Sequence, residues 1–72
     1  MGLVTTEHRL RCTAHDSCWV KLIRKDRWSV LSIELSDGRI VPVRDVERFE
    51  DEVLALDAAK SWLCESEGRN YT

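Results

Sequence analysis

Four side chains able to ligate a soft metal crowd one end of the chain: His8, Cys12, His15 and Cys18 lie within eleven residues. A zinc module would need them to converge. Structural zinc sites usually present two ligands from one tight turn and a second pair from elsewhere in the chain. The H-x3-C-x2-H-x2-C spacing offers no such knuckle. If the segment is a strand, His8 and Cys12 point the same way but stand about 13 Å apart, at ~3.3 Å per residue. A small zinc-binding module is therefore the third of three functional readings, and no metal ligand is assigned.

His15, Asp16 and Ser17 are the three residue types of a hydrolytic triad, but they are consecutive. Triad members converge from separate elements, so adjacent residues read as a turn. A thiol at Cys12 or Cys18 beside His15 lacks the oxyanion donors, glycine-rich loop and pocket that acyl chemistry needs. The expectation is a non-catalytic protein without a cofactor. Glu50, Asp51 and Glu52 resemble a cation site, but they open a helix, where the dipole favours negative charge.

The elements that must position these residues belong to one small domain spanning residues 1–72. At 43% hydrophobic and 33% charged residues, the 72-residue chain suits a globular fold. A domain this short buries only about 60% of the surface of its unfolded chain, which leaves a thin core. No apolar run reaches the ~18 residues of a membrane span. The first ten residues lack the pattern of a secretory signal, and three cysteines are an odd number for a disulfide framework. The expectation is reduced thiols, a cytoplasmic location and no membrane partner. Charge is uneven: the net −2 divides into +3 over residues 1–44 and −5 over residues 45–72.

Helical periodicity over 50–66 places Val53, Leu56, Ala59 and Leu63 on one face, widened by Ala55, Ala58 and Trp62. Gly68 then supplies a left-handed stop. Upstream the period is two. Leu31, Ile33 and Leu35 alternate with Ser32 and Glu34, and Asp37-Gly38 marks a tight hairpin into a strand over 39–44 that could extend towards Arg48. Pro42 cannot donate to a ladder and makes that strand an edge. Residues 19–24 form an earlier strand, joined to the Trp28 strand by a turn at Lys25-Asp26. Residues 5–13 form the first strand. The fold class is α+β: a three- or four-stranded antiparallel sheet packed on one C-terminal helix, in the order ββββα or βββα.

Alternation then assigns faces. Leu10, Cys12, Val20, Leu22, Leu31, Ile33, Leu35, Val41 and Val43 should meet the helix. Arg9, Arg11, Trp19, Lys21, Ile23, Lys25, Trp28, Val30, Ile40 and Arg44 should lie on the other face, which a single helix leaves uncovered. A contiguous patch of tryptophan, aliphatic and cationic side chains marks an interaction surface. A one-residue slip of register in one strand would instead send a tryptophan inward.

The run from Trp28 through Asp37-Gly38-Arg39 and Phe49 to Ala55-Leu56-Asp57-Ala58-Ala59 resembles the AP2-type DNA-binding pattern. It is also similar to the arm-binding domains of phage integrases. The resemblance covers about half the chain and implies a three-stranded sheet on one helix, with the sheet entering the major groove. The matching residues are Arg24, Arg27, Trp28 and Arg44. The chain also resembles short bacterial and phage proteins of the sheet-plus-helix kind.

Two leading expectations follow. One is an interaction domain that binds another protein, most simply a second copy as a homodimer, through the outer sheet face. The other is a DNA or RNA binder using that face, a reading weakened by the overall negative charge.

Overall fold

A computed structural model describes residues 2–13 and 16–72. Four antiparallel strands, β1 (Val4–Arg11), β2 (Ser17–Arg24), β3 (Trp28–Leu35) and β4 (Ile40–Val41), form one sheet in the order β1-β2-β3-β4. A single helix, α1 (Glu52–Glu67), packs on one side of it. The α+β class and the ββββα order are those that the alternation and the C-terminal periodicity imply. None of the described helices is long and apolar enough to cross a membrane.

Each connection follows from local chemistry. Gly38 turns the β3–β4 hairpin at φ 91°, and the Asp37 carboxylate accepts from the Arg39 backbone N–H at 3.0 Å. Such a turn needs positive φ, which glycine adopts without steric cost. β4 is shorter than the 39–44 expected, because Pro42 has no N–H with which to continue the ladder. The chain leaves the sheet there and returns at Phe49. Phe49 exchanges two 2.8 Å backbone hydrogen bonds with Trp28 at the start of β3. Gly68, at φ 73°, closes α1 by donating to the Cys64 carbonyl at 2.8 Å. The turn centred on His15 falls partly outside the described residues.

Between sheet and helix lies one core. Val20, Leu22, Val30, Ile33, Ala55, Ala59 and Leu63 are fully buried, with Leu10, Leu35, Val41, Trp62 and Tyr71 closing its margins. α1 turns Ala55, Ala59, Trp62 and Leu63 inward, which corrects the expected stripe at one position: Val53 is 67% exposed. Ala55, Ala59 and Leu63 are fully buried, and Trp62 keeps 7% of its surface exposed.

β3 carries the decisive irregularity. Lys21 pairs with Ser32, but the next residue of β2, Leu22, pairs with Val30, so Leu31 has no partner. Leu31 is the extra residue of a β-bulge, and a bulge reverses the alternation on either side of it. Val30 therefore faces the core, and Leu31, expected to face the helix, is 46% exposed.

Candidate functional site: the outer sheet face

Three rows of side chains cross the sheet on the side away from α1. Arg9, Trp19, Glu34 and Ile40 are successive cross-strand neighbours, as are Glu7, Lys21 and Ser32, and Thr5, Ile23 and Ser29. Trp19 is 41% exposed and Ile40 62% exposed. The Arg9 guanidinium lies 5.4 Å from the centroid of the Trp19 ring. This is a cation–π contact between neighbouring strands. Trp19, Lys21, Glu7, Ser32, Glu34 and Ile40 enclose a shallow depression of about 260 Å³. Small-molecule pockets usually run from about 300 to 1,000 Å³ and are mainly apolar. This depression is small, open and lined with charge.

Only part of the expected surface is assembled here. Arg9, Trp19, Lys21 and Ile23 occupy the outer face, Ile40 adjoins them, and Arg11 ends the same alternation on β1. Four of the expected residues lie elsewhere. Val30 is in the core and Lys25 is in the β2–β3 turn. Trp28 stands on the helix side of the bulge, half-buried against the core, with the Arg24 guanidinium 5.9 Å from its ring. Arg44 follows β4 on the helix side, 5.9 Å from the Trp62 ring and 3.9 Å from the Glu65 carboxylate. The bulge moves Val30 and Trp28 together, because it shifts everything before Leu31 by one position.

Those placements bear on nucleic acid directly. Trp28 and Arg44, two of the residues that the AP2-type resemblance matches to a sheet entering the major groove, do not share the outer face with Trp19. That face also carries Glu7 and Glu34 among its cations. A phosphate-binding surface gains affinity by accumulating positive charge, and interleaved carboxylates oppose that.

The chemistry-bearing residues near the N-terminus serve the fold. On the inner side of β1, Thr6 Oγ1 donates to Glu52 Oε2 at 2.6 Å and His8 Nε2 meets the same oxygen at 3.0 Å. An ionised carboxylate only accepts, so His8 Nε2 carries the proton. A triad would use the two imidazole nitrogens separately, one towards a hydroxyl and one towards the acid. Here hydroxyl and imidazole converge on one oxygen, which ties β1 to the first turn of α1. The Thr6 hydroxyl, then His8, hold the Glu52 carboxyl below its usual range. Glu52 thus does more than complement the helix dipole, and its 44-residue separation from His8 gave no local signal of the pairing.

Cys18 is buried, and burial pushes its thiol above the ordinary range. Cys12 and Cys64 are half-buried, and all three thiols are free. Among the described residues, no three His, Cys, Asp or Glu side chains gather as a metal would require; His15 lies outside the described residues. Tyr71, which follows α1, is buried at the margin of the core, and Thr72 exchanges two 2.9 Å backbone hydrogen bonds with Arg11. No periodic pattern extends to that tail, so nothing in the sequence marked it as core. Comparison with protein-family models, with curated proteins and with solved structures finds no match to this chain.

Proposed function

We propose that this protein is a non-catalytic interaction domain that self-associates through the outer face of its sheet. The observation that carries the reading is Trp19, 41% exposed on a face that no described element covers. Aromatic anchors ringed by polar groups are the usual energetic centres of protein interfaces. The mixed charges favour a second copy in particular. A two-fold axis can set Arg9 and Lys21 of one subunit against Glu34 and Glu7 of the other, and an isologous contact requires such self-complementarity. A thin core also gains from association, since burial of a large side chain contributes roughly 1.5–3 kcal/mol.

Sedimentation equilibrium of the wild-type chain and of Trp19→Thr tests this reading. Threonine preserves strand propensity on a half-exposed surface. The expected result is reversible self-association weakened roughly thirtyfold in the variant, the ~2 kcal/mol of an aromatic anchor. A wild-type chain that sediments as a monomer at millimolar concentration would overturn it.

A further inference from the structure

The outer face is not the only unfinished surface of the sheet. β1 is an edge strand of eight residues, paired with β2 on one side only. Backbone groups of alternate residues in an antiparallel strand point to opposite sides. Arg11 fixes which residues point outward. Its N–H donates to the Thr72 carbonyl and its carbonyl accepts from the Thr72 N–H, both at 2.9 Å, on the side away from β2. Thr5, Glu7 and Arg9 share the parity of Arg11, so their N–H and C=O groups face outward too. Among the described residues, nothing bonds these outward groups. The edge lacks the usual protection of proline, a bulge or a covering loop. It already accepts one extended residue, Thr72, in antiparallel geometry.

The geometry points to β1 of a second copy as the occupant of this edge, antiparallel across a two-fold axis at Glu7. Only that register uses the whole edge. Thr5 then opposes Arg9 of the partner subunit, Glu7 opposes Glu7 of the partner subunit, and Arg9 opposes Thr5 of the partner subunit. Six backbone hydrogen bonds form. In the central register Leu3 of the partner subunit, which precedes the strand, must turn aside where Thr72 holds Arg11, whereas sliding the strands two residues further would drive Thr5 of the partner subunit, within the strand, into that place. Sliding them two residues the other way sets Arg9 against Leu3 of the partner subunit, outside the strand. The central register brings the two like-charged Glu7 side chains together at the axis, where cations on both subunits offset them. Each Glu7 carboxylate is flanked by Lys21 on its own β2 and lies diagonal to Arg9 of the partner subunit, within reach of a long side chain.

This contact goes beyond the face contact proposed above and uses different atoms. Edge pairing requires a two-fold axis perpendicular to the sheet, whereas face packing requires one parallel to it. Perpendicular two-folds close into a tetramer with D2 symmetry and no free surface for further growth. Two eight-stranded sheets would then pack face to face around their Trp19 side chains. This tetrameric form rests on the face reading; the edge pairing does not.

Amide hydrogen exchange by NMR, with the mass of two variants, tests the proposal. In the wild-type chain the amides of Thr5, Glu7 and Arg9 should gain protection, at least about tenfold, as concentration rises. Those of Thr6 and His8, bonded to β2, should be protected throughout. Glu7→Pro removes one outward N–H and no bond of the chain's own ladder, a position where an edge strand tolerates proline. It should abolish the protection and halve the assembled mass. Trp19→Thr should instead halve the mass while leaving the protection of Thr5, Glu7 and Arg9 intact. Thr5→Lys with Glu7→Lys, which adds a cation opposite Arg9 of the partner subunit and removes the carboxylates that offset Arg9 and Lys21, is the check should the proline variant not fold. Free exchange of the Thr5, Glu7 and Arg9 amides at millimolar concentration would overturn the edge pairing. So would a folded Glu7→Pro or double-lysine variant that assembles like wild type. A wild-type chain that stops at a dimer with these amides protected, and a Trp19→Thr variant of the same mass, would overturn the face contact and leave the edge pairing standing.

Discussion

The two tryptophans nearest the sheet sit nine residues apart and experience opposite surroundings. Trp19 lies on β2, where alternation is uninterrupted, and it faces outward beside Arg9 and Glu34. Trp28 opens β3 beyond the bulge at Leu31, and it packs against the core with Phe49 bonded to its backbone. One unpaired residue in β3 decides that Trp28 packs half-buried against the core while Trp19 stays on the surface. The inner face of the sheet is consequently a dry layer of Val20, Leu22, Val30 and Ile33, while the outer face mixes one aromatic with both signs of charge. The contrast divides stability from recognition: substitutions inside should unfold the chain, and substitutions outside should alter only its associations.

The largest break in that contrast should come from Leu22→Ala or Leu63→Ala. Each removes a fully buried leucine, at a cost of about 2–5 kcal/mol. A domain of this size rarely has more than ~3–5 kcal/mol in total, so circular dichroism should show either variant mostly unfolded at 37 °C.

Adjacent positions at the bulge sharpen the comparison further. Val30→Ala should cost about 2 kcal/mol, and Leu31→Ala, on the exposed residue, about 0.5 kcal/mol or less. Equal losses in urea titrations of the two variants would mean that β3 has no bulge there.

The thiols report the same division. Cys18 is buried with its thiol pushed up, so its reactive thiolate is scarce in the folded chain. An aromatic disulfide reagent at pH 8 should modify Cys12 and Cys64 first, and Cys18 only on the timescale of unfolding.

The smallest effect belongs to pH. The Glu52 carboxyl titrates lower in the folded chain than in the unfolded one, chiefly through the Thr6 hydroxyl. Its stabilisation is therefore complete above the unfolded-state value and is lost as pH falls through the folded-state value. Glu52→Gln should flatten the acid limb of the stability profile while leaving stability at pH 9 lower than wild type.

Much of this architecture is legible in the residues themselves. Period-two alternation, the Asp37-Gly38 turn and the stop at Gly68 place every element but β4 within a residue or two, because each expresses a local preference, whereas β4 ends at Val41, short of the 39–44 expected. The facing of β3 is not local. Val30 and Leu31 are adjacent apolar residues, which fit either phase of alternation, and pairing with β2 selects the one in which Leu31 bulges out. The rotation of α1 was similarly open. Val53, Leu54, Ala55 and Leu56 allow several stripes, and packing on the sheet takes the one that buries Ala55, Ala59, Trp62 and Leu63. Of the candidate site, Arg9, Trp19, Lys21 and Ile23 were legible because β1 and β2 pair without a break. Val30 and Trp28 were misplaced because they precede the bulge. Phe49 and Thr72 join the structure through backbone pairings, and Tyr71 through a buried side chain, that no periodicity foreshadows.

The three indole N–H resonances of Trp19, Trp28 and Trp62 test the central claim in one experiment. Recorded by nitrogen-15 NMR from micromolar to millimolar concentration, the Trp19 resonance should shift or broaden progressively. Those of Trp28 and Trp62, on the helix side, should stay fixed. A stationary Trp19 signal, or movement confined to Trp28 or Trp62, would contradict an outer-face contact between copies of this chain.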